Sequence, residues 1–409
     1  MLSKEANERL TRVGPGTAVG ALLRRYWHPV AASVQLLMEP VQEVRILGED
    51  LVLYRSEDGY LGLTQAHCPH RHTSLAYGIP EPGGLRCAYH GWKFDCSGQC
   101  VNQPAEPADS TFKQRVRITA YPVQELGGLV WAYLGPAPAP LLPRFDLLVR
   151  DGLEREIGFA EIPCNWLQIM ENSMDPVHAE HLHGNHANYM LHRQAKTAMR
   201  VRHHARMAFD VFEFGIVKRR LLEGQTEDVD DWRIGHPVLF PAALAVGTDA
   251  QAQFQFRVPI DDQRTMHWWY LTRPSVPGAP QQTEIPLDEF LYQHENGRFM
   301  VETAMGQDIM AWITAGSVMD RSTEKLATSD AGVILYRQLL DEQLATVERG
   351  EDPLGVLREA ARNEPWIQIP RERVFEYQGR DSCRSAIRTS PSRSGGASTR
   401  RSKPLPWPG

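Results

Sequence analysis

The sequence lacks both an excess of positive charge and a long apolar run. Its 409 residues include 44 Lys and Arg against 50 Asp and Glu, which gives a formal net charge of -6. A general nucleic-acid binder is usually basic, so we expect no nucleic-acid partner. The most apolar early stretch, residues 21–38, is interrupted by Arg24, Arg25 and His28. A membrane-spanning helix needs about 20 mostly apolar residues, so we expect no membrane span either.

Cysteine is also scarce, with six in the chain. The first residues include Lys4, Glu5 and Glu8 and therefore do not resemble the apolar core of a secretory signal peptide. We expect a cytoplasmic protein, in which thiols stay reduced. Closely spaced cysteines in such a protein indicate metal binding rather than disulfides.

The residue pattern changes along the chain and predicts an α+β protein. Residues 1–35 are predicted to be a helical segment, with Thr17 placed to cap a helix. Short β patterns predict an all-β domain over residues 36–142, which ends in a Pro-rich linker. Residues 143–378 predict a larger α+β domain, an antiparallel sheet with helices. The basic, Ser- and Pro-rich residues 379–409 are expected to be disordered.

Individual elements can also be predicted from these patterns. Helices are predicted over residues 167–183, 287–313 and 329–349. Strands are predicted over residues 44–47, 51–54, 61–63, 115–121, 129–134, 207–214, 238–246, 253–258 and 267–271.

Two short segments of the predicted β domain combine one cysteine with one histidine. They are Cys68-x-His70 and, after sixteen intervening residues, Cys87-x-x-His90. Two such pairs can hold a tetrahedral zinc or a two-iron cluster. Zinc fingers usually group like residues, whereas each segment here mixes them. In a Rieske centre two Cys hold one iron and two His hold the other, so each segment would supply one ligand to each iron.

Other Cys and His residues nearby fit this pattern less well. His67 and His72 lie outside it and are expected at the surface or beside the ligands. Cys96 and Cys100 are the rival thiols close to the two segments.

A second group of metal-binding residue types lies at the start of the larger domain. Residues three or four apart share a helix face, so Asp175 and His178 do. Spacing alone would next choose His181. His183 is five residues after His178, about 140° round an ideal helix of ~3.6 residues per turn. It could reach the same metal only where the helix bends or ends, so the residues alone leave the second histidine ligand open.

Both groups resemble motifs of one family, the Rieske non-haem iron ring-hydroxylating oxygenases. The segments Cys68-Pro-His70-Arg and Cys87-x-Tyr-His90-Gly-Trp are similar to the family's Rieske motif. The resemblance implies an N-terminal Rieske domain followed by a catalytic domain, in the catalytic (alpha) component of such a system. It also implies one [2Fe–2S] cluster per chain, and the implied cluster ligands are Cys68, His70, Cys87 and His90.

The segment Asp175-x-x-His178-x-x-x-x-His183 is similar to the family's iron motif. The resemblance implies that His178 and His183 bind one mononuclear Fe(II). Asp175 would instead form hydrogen bonds with His178 and, between chains, with His90 of the partner subunit. This implies that Asp175 has a role in electron transfer.

The third iron ligand is implied to be a distant carboxylate. Gln307-Asp308-Ile309, followed by Trp312, is similar to the family pattern and implies Asp308. Glu302 and Asp320 are the rival carboxylates nearby. Asn172 lies close enough along the chain to approach the metal or its water, and we treat it with Asp175 as a candidate catalytic residue.

Residues 1–375 resemble the phthalate-dioxygenase-like branch of the family. The segments that carry this are residues 10–17, residues 24–29, Asn165-Trp166 and Asp320-Arg321-Ser322. The resemblance implies a homotrimer without a small β subunit. It also implies a separate NADH-dependent reductase that carries FMN and a plant-type [2Fe–2S] cluster.

Length and overall pattern are most similar to branch members that dioxygenate carboxylated diphenyl ethers such as phenoxybenzoate. Attack at the ether-bearing carbon (angular dioxygenation) gives a phenol and protocatechuate. Other members act on phthalate or chlorobenzoate, or are O-demethylating monooxygenases, and the ligand motifs do not separate these. All use O2, and an arginine that binds the carboxylate of an aromatic substrate is expected, though the sequence does not identify it.

Two non-enzymatic hypotheses are weaker. A zinc-binding module would leave the second group of residues and the large domain without a role. A Rieske electron-transfer protein would need no second metal.

Overall fold

The computed structural model describes residues 2–199, 201–278 and 280–373. Its N-terminal part contains helices α1 (Lys4–Thr11), α2 (Ala18–Leu23) and α3 (Ser33–Met38) and strand β1 (Trp27–Ala32). The Thr17 side chain accepts a hydrogen bond from the Gly20 amide at 3.1 Å, which confirms the predicted cap.

The prediction that residues 1–35 are helical throughout is wrong for β1. This strand pairs with Leu129–Tyr133 and is almost completely buried. Pro29 disfavours a helix here because it lacks an amide proton and would clash with the preceding turn.

The following β region forms two four-stranded sheets and contributes to a three-stranded one. The sheet orders are β2-β3-β4-β9, β5-β6-β7-β8 and β1-β11-β10. The strands are β2 (Val41–Ile46), β3 (Glu49–Arg55), β4 (Leu61–Gln65), β5 (Ile79–Glu81), β6 (Gly84–Arg86), β7 (Lys93–Phe94), β8 (Cys100–Asn102), β9 (Ala120–Tyr121), β10 (Val123–Leu126) and β11 (Leu129–Tyr133). The prediction of a strand over residues 115–121 is correct only for the two residues of β9.

The larger domain is built on one eight-stranded sheet of order β13-β14-β15-β16-β17-β18-β12-β19. All pairings are antiparallel except that of β12 with β19. The predicted fold class is therefore confirmed. The strands are β12 (Leu153–Ile162), β13 (His204–Phe212), β14 (Gly215–Leu222), β15 (His236–Leu239), β16 (Ala243–Thr248), β17 (Gln251–Asp261), β18 (Arg264–Pro274) and β19 (Leu287–Glu289).

Helices of this domain carry most of the residues that the second motif singled out. They are α4 (Asp146–Val149), α5 (Trp166–Met174), α6 (His178–Glu180), α7 (Ala187–Arg193), α8 (Asp230–Arg233), α9 (Ala304–Thr314) and α10 (Ala331–Glu348), with a π-helix at His181–His186. Short 3-10 helices lie at Leu75–Tyr77, Phe112–Arg115, Thr328–Asp330 and Ala360–Arg362.

Two predicted helices are shorter than expected. The helix predicted over residues 167–183 breaks after Met174, because Pro176 disfavours helical backbone at Asp175. The helix predicted over residues 287–313 begins only at Ala304, after β19 and a turn with Gly297 at φ +78°. The Thr303 side chain caps its first turn.

The large sheet has two different faces at β17. Phe254, Phe256 and Val258 point into an apolar core that extends to the N-terminal region, where Phe256 packs edge-on against Trp131 at 5.2 Å. An apolar cavity lined by Trp27, Trp131 and Phe256 lies on this side. Successive strand residues face opposite sides, so Gln255 and Arg257 lie on the other face.

Among the described residues, no helix is both long and apolar enough to cross a membrane. The tail predicted to be disordered, residues 379–409, lies outside the described residues.

Candidate metal centres

The two Cys-and-His segments of the β region form similar tight turns. The Cys68 carbonyl accepts a hydrogen bond from the His72 amide at 2.9 Å. The Cys87 carbonyl accepts one from the Gly91 amide at 3.0 Å. Gly91 has φ +73°, and a Cβ there would lie 2.7 Å from Pro104, so the second turn requires glycine.

The turns bury the cysteines and leave the histidines at the surface. Cys68 and Cys87 are 1% and 2% exposed, whereas His70 is exposed and His90 half-buried. The two imidazole rings lie 4.4 Å apart between centroids, and Trp92 stacks on His70. Burial raises the pKa of the Cys68 thiol to about 11, so its thiolate would need a cation beside it.

The spacing of these four side chains suits two metals better than one. Ligand atoms of a tetrahedral zinc lie roughly 4 Å or less from one another, since each is about 2.0–2.3 Å from the metal. Among the described residues, two groups of three His, Cys, Asp or Glu side chains place their ligand atoms within 4.8 Å, and neither includes the Cys-and-His turns. A cluster with cysteines on the inner iron and histidines on the outer iron fits this arrangement.

The first of those groups joins three candidate residues of the large domain. Nε2 of His183 lies 3.2 Å from Oδ1 of Asp308, and Nε2 of His178 lies 3.7 Å from the same oxygen. The two rings are 5.1 Å apart between centroids and nearly perpendicular. Two imidazoles and one carboxylate that converge in this way match the donor set of a non-haem Fe(II) site with open positions.

The π-helix explains how His183 reaches the same point as His178. Its hydrogen bonds join residues five apart, so the backbone winds more widely than in an α-helix. His178 and His183, which are five residues apart, can therefore face the same side of the helix. His181, which ideal α-helical spacing favoured, instead pairs through Nδ1 with Asn185.

The other nitrogen of each imidazole is held by a neighbour. Nδ1 of His178 lies 2.5 Å from the Asp175 carbonyl, and Nδ1 of His183 lies 2.8 Å from Oε1 of Gln307. Both Nδ1 atoms can thus donate, which leaves Nε2 free to bind metal. Sequence reasoning missed the role of Gln307, whose only signal is its position before Asp308.

Electrostatics within the group favour a bound cation. Burial would raise the pKa of Asp308, but the neighbouring His183 and His178 and the Asn172 side chain lower that pKa. Burial lowers the pKa of His178 and opposes the rise that Asp308 causes in the pKa of His183. An ionised carboxylate beside two imidazoles, all three partly buried, is ready to hold a divalent metal.

The remaining candidates occupy different places. Asn172 lies beside Asp308, as the pKa of that carboxyl reflects. The Asp175 carboxylate accepts from the Val177 amide at 2.8 Å and is 30% exposed. The rival carboxylates are not at the site, since Glu302 pairs with His294 at 3.0 Å and Asp320 with Ser322 at 2.6 Å.

Buried polar contacts fix α5, the helix before the iron motif. Asn165 caps it and donates to the carbonyls of Thr11 and Asp262 at 2.9 and 2.7 Å. Glu171 accepts hydrogen bonds from Arg321 and Arg337, each with a closest distance of 2.7 Å. Arg321 is fully buried, which gives the Asp320-Arg321-Ser322 segment a structural role.

The second compact group consists of Asp231, His236 and Glu372. Arg220 forms an ion pair with Asp231 at 2.8 Å and lies 3.4 Å from His236. This guanidinium already supplies positive charge to the group, which we therefore interpret as a buried ion-pair cluster.

Two family models match parts of this chain. Residues 26–122 match the model of the Rieske [2Fe-2S] domain, and residues 293–384 match that of the LigXa C-terminal domain. The 5,5'-dehydrodivanillate O-demethylase oxygenase subunit of Sphingobium sp. (strain NBRC 103272 / SYK-6) is 40% identical, over 92% of this chain and 89% of its own length.

Two further relatives act on aromatic acids according to their names. The phenoxybenzoate dioxygenase subunit alpha of Ectopseudomonas oleovorans is 36% identical, over 85% of this chain and 87% of its own. The phthalate 4,5-dioxygenase oxygenase subunit of Pseudomonas putida is 33% identical, over 87% and 89%. The fold also resembles the QL mutant of NdmA of Pseudomonas putida CBB5 with caffeine, at TM-score 0.62 and 19% identity over 82% of this chain and 96% of that one.

Proposed function

Because this chain belongs to the Rieske non-haem iron oxygenases, in the phthalate-dioxygenase-like branch, we propose that it oxidises a carboxylated aryl ether. Membership establishes an oxidoreductase that acts on aromatic substrates and works with separate electron-transfer proteins. It also means that the chain carries a Rieske [2Fe–2S] cluster and a mononuclear iron.

The proposed cluster ligands are Cys68, His70, Cys87 and His90, and the proposed iron ligands are His178, His183 and Asp308. The observation that carries this is the convergence of both Nε2 atoms on Oδ1 of Asp308. When bound, the cluster supplies electrons singly and the iron supplies the O2 chemistry that side chains cannot perform.

The chain's own residues orient these groups. Gln307 and the Asp175 carbonyl keep a proton on Nδ1 of His183 and His178. Asn172 lies beside the Asp308 carboxylate and helps to lower its pKa. Buried aromatic residues around α9 and β18, among them Trp269 and Trp312, form an apolar cluster beside the helix that carries Asp308.

O-demethylation is the reaction we favour within this class. It is supported by the 40% identical relative, which is named as the oxygenase subunit of an O-demethylase. The reaction takes a methyl aryl ether, O2, two electrons and two protons. It yields a phenol, formaldehyde and water.

Angular dioxygenation of a carboxylated diphenyl ether is the second candidate. It is supported by the 36% identical phenoxybenzoate dioxygenase and is the reaction that the sequence pattern led us to expect. In this case both oxygen atoms enter the ring at and beside the ether-bearing carbon. The resulting hemiacetal breaks down to a phenol and protocatechuate.

The two reactions differ in the fate of oxygen. Purified chain should be supplied with a phthalate-dioxygenase-type reductase, NADH and ¹⁸O2, and with 5,5'-dehydrodivanillate, vanillate, 3-phenoxybenzoate or phthalate. O-demethylation should give one equivalent of formaldehyde for each phenol formed. Angular dioxygenation should give protocatechuate with two labelled atoms in the products. If phthalate were turned over and none of the three aryl ethers were, the aryl-ether proposal would be contradicted.

We also propose that the electron donor is an NADH-dependent reductase with FMN and a plant-type [2Fe–2S] cluster, and that three chains form a trimer. The described residues offer surfaces that suit such contacts. His90 reaches the surface beside Tyr89, which is 55% exposed, and the Asp175 carboxylate is also partly exposed. In a trimer the two could meet between chains.

A further inference from the structure

The interior face of β17 and β18 carries an unusual pair of buried polar residues. Arg257 and His267 are opposite each other in the antiparallel register. Opposite residues project to the same face of a sheet, so the two side chains are neighbours. Arg257 is 1% exposed and His267 is fully buried.

Arg257 has no acidic partner among the described residues. Its Nη2 donates to Oε1 of Gln255 at 2.7 Å, and Nη1 has a long contact of 3.4 Å with the Gln255 carbonyl. Nε is buried without a partner in this part of the chain. The buried Arg321 and Arg337, in contrast, both pair with Glu171.

An unpaired buried cation is costly, which makes an anionic ligand a natural partner. Burial lowers the pKa of Arg257 to about 9, so the guanidinium remains charged at neutral pH. Its position is also fixed, since Gln255 on the same strand face holds one edge of the fork.

His267 adds further unused hydrogen-bonding capacity. Its ring stacks between Trp269, at 4.1 Å, and Trp312, at 5.5 Å between centroids. Neither ring nitrogen has a hydrogen-bond partner within the described ranges, and the same holds for Nε1 of both tryptophans. Most of these groups are donors, so a ligand that satisfies them must bring acceptor oxygens.

This face adjoins the proposed iron site. Trp312 follows Asp308 by four residues on α9 and therefore lies one turn along the same helix face. The negative charge of Asp308 is also among the influences that raise the pKa of Arg257 against the effect of burial. A ligand at Arg257 would extend from there towards His178, His183 and Asp308.

We propose that Arg257, supported by Gln255 and His267, binds the carboxylate of the aromatic substrate and so fixes which carbon faces the iron. This rests on the proposed function, because it names the residue that selects acids among aryl ethers. The guanidinium fork offers two parallel donors to a carboxylate, a geometry that a lysine ammonium cannot reproduce.

Calorimetric binding without reductant tests this on the metal-loaded protein. The probes are two matched pairs, 3-phenoxybenzoate with 3-phenoxybenzyl alcohol and vanillate with vanillyl alcohol. The wild type should prefer at least one acid to its alcohol. Arg257→Gln should weaken binding of that acid about 10- to 100-fold, the range for a lost charge-assisted hydrogen bond, and change alcohol binding less than about threefold.

Two more variants separate anchoring from damage to the fold. Arg257→Lys should recover part of the acid preference, because it keeps the charge without the fork. Arg264→Gln is the matched control, since Arg264 lies at the start of β18 and pairs with the surface residues Asp261 and Glu161. It should leave all four affinities unchanged. If Arg257→Gln does not fold, the test is whether the acid preference of Arg257→Lys is smaller than that of the wild type.

The possible failures are distinguishable. If the wild type prefers acids and every folded Arg257 variant retains that preference undiminished, Arg257 is not the anchor and the proposed function stands. If the wild type binds alcohols as well as acids, or binds no acid, both the anchor and the carboxylate class of substrate are wrong.

Discussion

The side chain of Gln307 accepts a hydrogen bond from Nδ1 of His183 at 2.8 Å, one residue before the carboxylate that faces Nε2 of the same ring. The orientation of the amide is defined, because its Nε2 donates to the Val301 carbonyl at 2.8 Å. Oε1 therefore faces the imidazole, and the proton stays on Nδ1. The residue next to one proposed ligand thus sets the tautomer of another.

Replacement of Gln307 should weaken iron binding without removing a ligand. Loss of such a supporting hydrogen bond typically costs 10–100-fold in metal affinity. Gln307→Leu should therefore release iron at a correspondingly lower chelator concentration, while the visible spectrum of the cluster is unchanged. Thr314→Ala, at an exposed position on the same helix, is the control. Equal iron retention in both variants would show that Gln307 does not orient His183.

Asp308→Ala should remove the mononuclear iron and leave the cluster intact. The carboxylate is the point on which both Nε2 atoms converge, and among the described residues no other acid joins the two histidines in this group. Iron analysis should fall from three atoms per chain to two, with an unchanged Rieske-type EPR signal. Retention of all three irons would place the third ligand elsewhere.

Asp175 offers a test of electron transfer that is separate from metal binding. Asp175→Asn removes the negative charge but keeps an oxygen that can accept from the Val177 amide. Both metal centres should remain, whereas the rate of electron delivery to the iron should fall by orders of magnitude. Single-turnover oxidation of the pre-reduced cluster measures this step. Unchanged kinetics would exclude the carboxylate from the route.

The buried charges behind α5 should contribute strongly to stability. Glu171 accepts hydrogen bonds from both Arg321 and Arg337, and all three side chains are less than 10% exposed. Removal of one partner of such a group typically costs about 3–5 kcal/mol, because the other charges stay buried. Glu171→Gln should lower the free energy of unfolding in urea by this amount.

The surface pair of Arg9 and Glu348 is the matched control for Glu171. Both side chains are about half exposed, and such pairs contribute less than about 1 kcal/mol. Glu348→Gln should therefore have a small effect on the urea midpoint. Similar losses in the two variants would mean that the Glu171 cluster is hydrated in solution.

The sequence allowed the fold class and both candidate centres to be predicted, because their signals are local. The cap at Thr17 and the Cys-and-His turns depend on residues only a few positions apart. The geometry of His183 was not predictable in the same way. It depends on a π-helix that packs against α9, more than 100 residues later in the chain.

Arg257 shows a second limit of sequence reasoning. Gln253, Gln255 and Arg257 alternate with Phe254 and Phe256, a pattern that normally places the polar residues in solvent. The strand itself was predicted, but both of its faces are buried because helices cover the polar one. Only the packed structure identifies the polar side as interior and the arginine as unpaired.

The stability of the second Cys-and-His turn, Cys87 to Gly91, should decrease at low pH because Glu81 becomes protonated. Its hydrogen bonds with Arg86, aided by Lys93 and opposed by partial burial, lower the pKa of Glu81 from 4.5 to about 2. Arg86 also donates to the Gly91 carbonyl at 2.6 Å and so connects this carboxylate to the cluster turn. A lowered folded-state pKa stabilises the protein above pH 4.5, and the contribution decreases as pH falls from 4.5 towards 2.

Glu81→Gln should therefore lower the urea midpoint for loss of cluster absorbance by a constant amount between pH 5.5 and 7. The difference from the wild type should shrink once the pH falls below 4.5, because the wild-type carboxylate then loses its advantage over the neutral amide. Glu43→Gln, at an exposed position on β2, should show no such difference. A gap that widens as the pH falls would mean that the Glu81 carboxylate does not stabilise the turn through its charge.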